Sequence, residues 1–272
     1  MQSLALQLRA SNKRIAFVPT MGALHEGHLT LLREGKRLGD TLVLSIYVNP
    51  TQFAPTEDLS KYPRDKEGDL AKARECGVDI VFFPSDEAMY PKGYQTYTEV
   101  TEVTKGLCGT SRPSHLRGVA TVVQKLINIV QPNVMLLGEK DYQQLVTIQT
   151  MVRDLNIPVE IVGVSIVRER DGLAMSSRNA YLSTEERKAA RSLSQGIFAA
   201  QVAFKKDEKR AEKLIQIVEE MITAAKLPRI DYLKICDAET LKEIKTIDPP
   251  ARLLVAAYLG KTRLIDNCGL EY

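Results

Sequence analysis

Short apolar runs rich in β-branched residues alternate with amphipathic stretches through the first two thirds of the chain. "RIAFVPT", "TLVLSIYV" and "DIVFFP" have the make-up of strands, and "GHLTLLREGKRLG" and "DKEGDLAKARECG" between them carry the spacing of helices. Strand, helix and strand in this order is the rhythm of a parallel sheet, because parallel neighbours need a crossover. An irregular stretch covers 84–113. The rhythm then resumes with helix "LRGVATVVQKLINIV", strand "NVMLLG", helix "DYQQLVTIQTMVRDL" and strand "VEIVGVSIV". Runs such as "TLVLSIYV" leave no polar face, so these strands are expected to be buried on both sides. The pattern predicts an α/β, Rossmann-like, doubly wound parallel sheet.

From Ser183 the texture changes. Ser183 and Glu186 stand at the spacing of a capping box, and long amphipathic helices follow to about residue 226. The strand-like pieces "IDYLKICD" and "ARLLVAAYLGKTRLIDN" close the chain, which predicts a smaller α+β C-terminal domain. The boundary is placed near Val167, giving domains 1–167 and 168–272. No internal repeat or low-complexity tract interrupts them.

Composition narrows the function classes. With 44% hydrophobic and 26% charged residues among 272, the chain has the balance of an ordinary globular protein. Lys and Arg number 37 against 34 Asp and Glu, a net +3 with the signs interspersed, which disfavours a nucleic-acid partner. Cys76, Cys108, Cys236 and Cys268 lie far apart without a CxxC, so reduced thiols are expected rather than a zinc site or disulfide framework. No segment approaches the roughly 20 apolar residues of a membrane span, and "MQSLALQLRASNKR" lacks the apolar core of a signal peptide. A cytoplasmic location and no membrane partner are expected.

In an open α/β sheet ligands bind beyond the carboxyl ends of the strands, so the loops that follow strands carry the chemistry. "PTMGALHEGH" leaves the first strand and opens a helix, with His25 and His28 on either side of Gly27. Helix N-termini attract anions, Gly22 and Gly27 allow close backbone approach, and imidazoles there donate to phosphate oxygens. The alternative reading makes both histidines helix caps. Neither GxGxxG after a strand nor GxxxxGK[ST] occurs, so this HxGH turn is the remaining candidate nucleotide site. Its spacing resembles the signature of HIGH-type nucleotidyltransferases and class I aminoacyl-tRNA synthetases.

Four further loops hold polar groups. "YVNPTQF" at 47–53 offers Asn49, either a turn residue or a contact, and Gln52, an uncharged amide suited to a small polar substrate. "GEKDYQQ" at 138–144 offers Lys140 for a phosphate, Asp141 as a cap or ribose acceptor, and Gln144 one turn on. "MSSRN" at 175–179 puts two hydroxyls and a guanidinium on one loop. "SRPSHLRG" at 111–118 holds His115 and Arg117, each read equally as a helix cap or a substrate contact.

Together "FVPTMGALHEGHL", "YVNPTQF", "SHLRGVATVV", "LLGEKDYQQ" and "MSSRNAYLS", in this order, resemble the pantothenate synthetase (pantoate–β-alanine ligase) family. The resemblance implies a homodimeric enzyme of coenzyme A biosynthesis, in which ATP, pantoate and Mg²⁺ form pantoyl adenylate before β-alanine attacks. By resemblance Pro19, Thr20, Met21, Gly22, Ala23, Leu24, His25, Glu26, Gly27 and His28 line the ATP site, with His28 the general acid and His25 its partner. Gly138, Glu139, Lys140, Asp141, Val167, Met175, Ser176, Ser177 and Arg178 complete that site, and Lys140, Ser176, Ser177 and Arg178 take phosphate roles. Gln52, Gln144 and Asn49 hold pantoate, and Gln52 also meets β-alanine. Asp65 is either a Mg²⁺ ligand or a helix cap. The C-terminal domain is expected to close over the site about a hinge near 167–172. The chain reaches "VPTMG" sooner than many members of the family, which bears on its sheet edge and dimer. Two other readings are another HIGH-type adenylyltransferase, such as a phosphopantetheine adenylyltransferase relative, and a non-catalytic nucleotide-binding relative.

Overall fold

Residues 1–55, 57, 59–248 and 250–271 are described, in a computed structural model of the chain. Contacts divide it into two units, Met1–Glu139 with Gln144–Ser165, and Lys140–Gln143 with Ile166–Tyr272.

In the first unit the elements run α1 Gln2–Ala10, β1 Ile15–Thr20, α2 Glu26–Leu38, β2 Thr41–Ile46, α3 Lys66–Glu75, β3 Ile80–Phe82, α4 Asp86–Met89, α5 Cys108–Ser111, α6 His115–Val130, β4 Val134–Gly138, α7 Tyr142–Asp154, whose first two residues count with the second unit, and β5 Glu160–Val164. The strands form one sheet in the order β3-β2-β1-β4-β5, and every pairing is parallel. β1 and β2 are buried along almost their whole length, as continuous apolar runs require when helices cover both faces. Ala16, Val18, Leu42, Leu44, Val134 and Leu136 pack against Leu24, Leu31 and Leu32 of the α2 segment. The chain leaves β1 in one direction toward β2 and joins it from the other side through β4. This reversal of strand order opens a crevice at the carboxyl ends of β1 and β4. Those two ends carry "HEGH" and "GEKD".

The short helices α4 and α5 form within the stretch 84–113 read as irregular, α1 forms where no element was assigned, and β5 ends earlier than its apolar run. In α1 Leu4, Leu6 and Leu8 alternate rather than follow a helical period; only Ala5 is buried, and Leu4 and Leu6 remain exposed. β5 stops at Val164, well short of the apolar run "VEIVGVSIV", because it is an edge strand and the chain enters the second unit at Ile166.

In the second unit α8 Thr184–Lys205 and α9 Ala211–Ala224 pack on β6 Arg229–Asp237, β7 Ala251–Leu259 and β8 Thr262–Leu270, an antiparallel sheet in that order. Phe204, Leu193, Ile197, Val218 and Ile222 from the helices meet Leu253, Val255 and Leu259 from the sheet. The run "ARLLVAAYLGKTRLIDN" is a hairpin, since Leu259 pairs with Thr262 across Gly260 and Lys261. α8 begins with the expected capping box: Glu186 N–H donates to Ser183 Oγ at 3.2 Å, and Ser183 N–H to Glu186 Oε2 at 2.9 Å. Arg168 forms a two-pronged pair with Asp266 at 2.7 and 2.9 Å, with Asp266 nearly inaccessible. All four cysteines are free, and burial pushes the Cys236 and Cys268 thiols up to about 12.

Candidate active site

β1 delivers the chain into a tight bend. Gly22 has φ +82° and Ala23 φ +50°, so two successive residues are left-handed before His25 caps α2. His25 and His28 form the capping box themselves. Gly27 N–H donates to His25 Nδ1 at 3.2 Å, and His25 N–H donates to His28 Nδ1 at 3.3 Å. Both Nδ1 atoms are therefore acceptors, and in the neutral rings the proton stands on Nε2. The rings lie 4.1 Å apart between centroids. Helix capping and phosphate donation, separate readings of the sequence, are thus compatible, because the cap is made by Nδ1 while the N–H of each neutral ring stands on Nε2. The backbone amides of 22, 23, 24 and 27 are engaged by protein acceptors, so Gly22 shapes the bend rather than opening its amide to an anion, and Gly27 lies in the first turn of α2.

The exit of β2 is a closed hydrogen-bond network. Asn49 is 1% exposed and uses its whole capacity within the protein. Its Nδ2 donates to Gln52 Oε1 at 3.1 Å and to Gly118 O at 3.2 Å, while its Oδ1 accepts from Thr51 Oγ1 at 3.1 Å and Tyr90 OH at 2.8 Å. Asn49 therefore orients Gln52, whose Nε2 points to Met21 Sδ at 3.2 Å and so toward the bend after β1. α6 supports the same loop from beneath. A Cβ on Gly118 would stand 2.4 Å from Thr51 O, which explains the glycine of "SHLRG". His115 Nδ1 donates to Gln52 O at 2.8 Å, joined there by Arg112. Arg112 also pairs with Glu57, at 2.8 Å between Nη2 and Oε2. Burial works against the Glu57 charge, and the hydrogen bonds from Arg112 and Ala54 N–H outweigh it, leaving its pKa below the usual carboxylate range. Arg117 stacks on Tyr97 at 5.2 Å.

In the second unit Lys140 O accepts from Asn267 Nδ2 at 2.9 Å, and Lys140 Nζ lies 3.8 Å from Asp141. Met175 N–H donates to Val167 O at 3.0 Å. Ser176 caps the short 3₁₀ turn Ser177–Tyr181 by accepting from Arg178 N–H at 3.2 Å. Asn179 anchors that turn from inside, donating to Glu169 at 2.7 Å and Ala174 O at 3.1 Å. Glu169 in turn pairs with Arg187 at 2.6 Å. Gln144, like Gly138 and Glu139, belongs to the first unit and is half-buried on α7.

Asp65 is a helix cap, accepting from Gly68 N–H at 3.0 Å at the start of α3. Among the described residues no group of three or more His, Cys, Asp or Glu is arranged to hold a metal. The sequence reading passed over Asp69 and Lys72, three apart on α3, which both bond the bend before α2. A polar pair on the inner face of a helix that otherwise buries Ala73 was the available signal.

The pantoate–β-alanine ligase family model matches residues 1–269. The chain belongs to the pantoate–β-alanine ligase family. It is 56% identical over 266 residues to the pantothenate synthetase of Syntrophotalea carbinolica, covering 98% of this chain and 94% of that protein. With the pantothenate synthetase of Syntrophus aciditrophicus it shares 54% identity over 267 residues, covering 98% and 93%. The crystal structure of pantothenate synthetase from Thermus thermophilus is similar at a TM-score of 0.94 and 44% identity, with 98% of each chain covered. That of the Francisella tularensis ligase, complexed with beta-gamma ATP and β-alanine, is similar at a TM-score of 0.80 and 34% identity, covering 99% and 96%.

Proposed function

We propose that this chain ligates pantoate to β-alanine at the expense of ATP. A pantoate carboxylate oxygen attacks the α-phosphorus, the bond to the β-phosphate breaks, and pyrophosphate leaves with pantoyl adenylate formed. The β-alanine amine then attacks the adenylate carbonyl, gives up a proton, and expels AMP. Activation must come first, because a carboxylate oxygen is a poor leaving group and AMP a good one. The observation that carries the reading is the family match across 1–269, with its polar loops at the carboxyl ends of β1, β2 and β4.

Residue roles follow the chemistry of each group. His25 and His28 donate Nε2–H to the nucleotide phosphates, stabilising charge rather than moving protons, since pantoate is already ionised at neutral pH. Pro19, Thr20, Met21, Gly22, Ala23, Leu24, Glu26 and Gly27 are the ATP contacts of the loop after β1, and Gly138, Glu139, Asp141, Val167 and Met175 are the remaining ATP contacts of this reading. Lys140, Ser176, Ser177 and Arg178 meet the departing pyrophosphate. Gln52 and Gln144 hold pantoate, Gln52 also meets β-alanine, and Asn49 acts by fixing Gln52.

Asp65 caps a helix, and among the described residues no group of three or more His, Cys, Asp or Glu stands together to hold Mg²⁺, so no step is assigned to that ion. A homodimer in the cytoplasm completes the reading; sedimentation of the purified protein tests the dimer. For the reaction the deciding assay is sequential. Pyrophosphate should appear with ATP and pantoate alone, and AMP and pantothenate on adding β-alanine. Purified protein that binds ATP and releases neither would overturn the proposal.

A further inference from the structure

The bend before α2 places two consecutive residues in left-handed conformation, one of them Ala23, which carries a Cβ. Such a conformation is unfavourable for an L-residue and persists only where its surroundings hold it. The hold comes from α3. Asp69 is 1% exposed, and its two carboxylate oxygens accept from successive amides of the bend: Oδ2 from Ala23 N–H at 2.9 Å, Oδ1 from Leu24 N–H at 2.7 Å. One turn along the same helix, Lys72 Nζ donates to Leu24 O at 2.7 Å. The residue immediately before the His25 cap is thus gripped at both its N–H and its C=O. Gly22 makes room for the carboxylate, since a Cβ there would lie 2.9 Å from Asp69 Oδ2. Asp69 has these two amides as its side-chain partners and lies in the first turns of α3, where the helix dipole favours a negative charge.

We propose that Asp69, seconded by Lys72, is a positioning residue for adenylate formation: it holds the bend that sets the His25–His28 pair. The proposal rests on the ligase reading for its kinetic consequence and on the geometry alone for its spectroscopic one. Concave backbone amides of this kind are anion sites in general, and here the protein's own carboxylate fills the concavity. The substrate's charge is therefore met by the histidine side chains, whose position Asp69 determines.

The test is Asp69→Asn, which keeps the volume and turns one acceptor into a donor facing an amide N–H. A misplacement on the order of 1 Å costs up to ~100-fold in rate. Pantoate-dependent ATP–pyrophosphate exchange should fall by roughly that factor in kcat, with a smaller change in the KM for pantoate, because Gln52 meets the bend only through Met21 and is held on its own loop by Asn49 and His115. The loss should not add to that of His28→Ala: the double variant should be little slower than His28→Ala alone. Long-range ¹H–¹⁵N spectra of the imidazoles should show the His25 and His28 signals displaced and the His115 signal in place. Lys72→Met should repeat the pattern more weakly, and serves where Asp69→Asn folds poorly. A variant with a lower melting temperature but normal kcat per folded site, fully additive losses, or unmoved His25 and His28 signals would each overturn the proposal. Wild-type protein without exchange activity would instead count against the ligase reading, and the imidazole spectra would still decide the role of Asp69.

Discussion

Gly118→Ala separates the two demands placed on α6. In an exposed helix interior the change is favourable by about 1 kcal/mol, since alanine loses less backbone freedom on folding. Here the new Cβ would stand 2.4 Å from Thr51 O, 2.6 Å from Thr51 C and 2.8 Å from Gln52 Cα. All three are backbone atoms, so no side chain can swing aside. Restoring an ordinary contact of about 3.4 Å moves the loop by about 1 Å. Overpacking of this kind costs ~1–3 kcal/mol, and a backbone target belongs at the upper end. The net expectation is a loss of about 2 kcal/mol, read as a lower urea midpoint at unchanged slope. The same displacement pulls Asn49 from Gly118 O and carries Gln52 away from Met21, so the KM for pantoate should rise at least tenfold while that for ATP stays within about twofold. A midpoint at or above that of the wild type would refute the steric argument. A lowered midpoint with an unaltered KM for pantoate would refute the coupling of α6 to Gln52.

Other expectations follow from the same structure. His28→Ala removes one Nε2–H donor and one cap acceptor, and pantoate-dependent pyrophosphate exchange should fall about 100-fold, or ~3 kcal/mol; full exchange would remove His28 from the reaction. Because the Glu57 pKa is depressed in the folded state, its contribution is present above the ordinary carboxylate pKa and is lost as pH falls through the folded value. Urea midpoints measured from neutral pH downward should therefore decline less in Glu57→Gln than in the wild type, and parallel curves would show that the pair with Arg112 carries no acid sensitivity. Arg168→Met leaves the nearly inaccessible Asp266 unpaired, and the second unit should lose about 3 kcal/mol of stability; a stability within about 0.5 kcal/mol of the wild type would show the pair to be dispensable.

The first unit was legible where periodicity is strong. The apolar runs around Val18, Leu44 and Leu136 became adjacent parallel strands, because only a sheet covered on both faces accepts residues with no polar side. Legibility failed where a local pattern competed with tertiary context. The alternating leucines of α1 do not follow a helical period, and the apolar run after Pro158 ends as an edge strand. In the polar loops, residue types could place His25, His28 and Gln52 at strand exits, which is where the structure has them. Asn49 shows the limit: its sequence position marks a polar loop at a strand exit, and only coordinates reveal that all four of its hydrogen-bonding positions are consumed by Gln52, Gly118, Thr51 and Tyr90. Asp69 was invisible for a related reason. Its partners are backbone amides, which every sequence supplies and none advertises.

The four residues Lys140–Gln143 count with the second unit although the polypeptide on either side of them counts with the first. The C-terminal unit is therefore not a continuous stretch of gene. A fragment starting at Ile166 would lack Tyr142, whose hydroxyl donates to Ala238 O and whose ring carries the Arg252 guanidinium, and would lack the Lys140 carbonyl that receives Asn267. Severing the chain at the obvious joint would thus strip that half of an internal strut, so domain-swapped chimeras of this enzyme need to transplant residues 140–143 along with the tail.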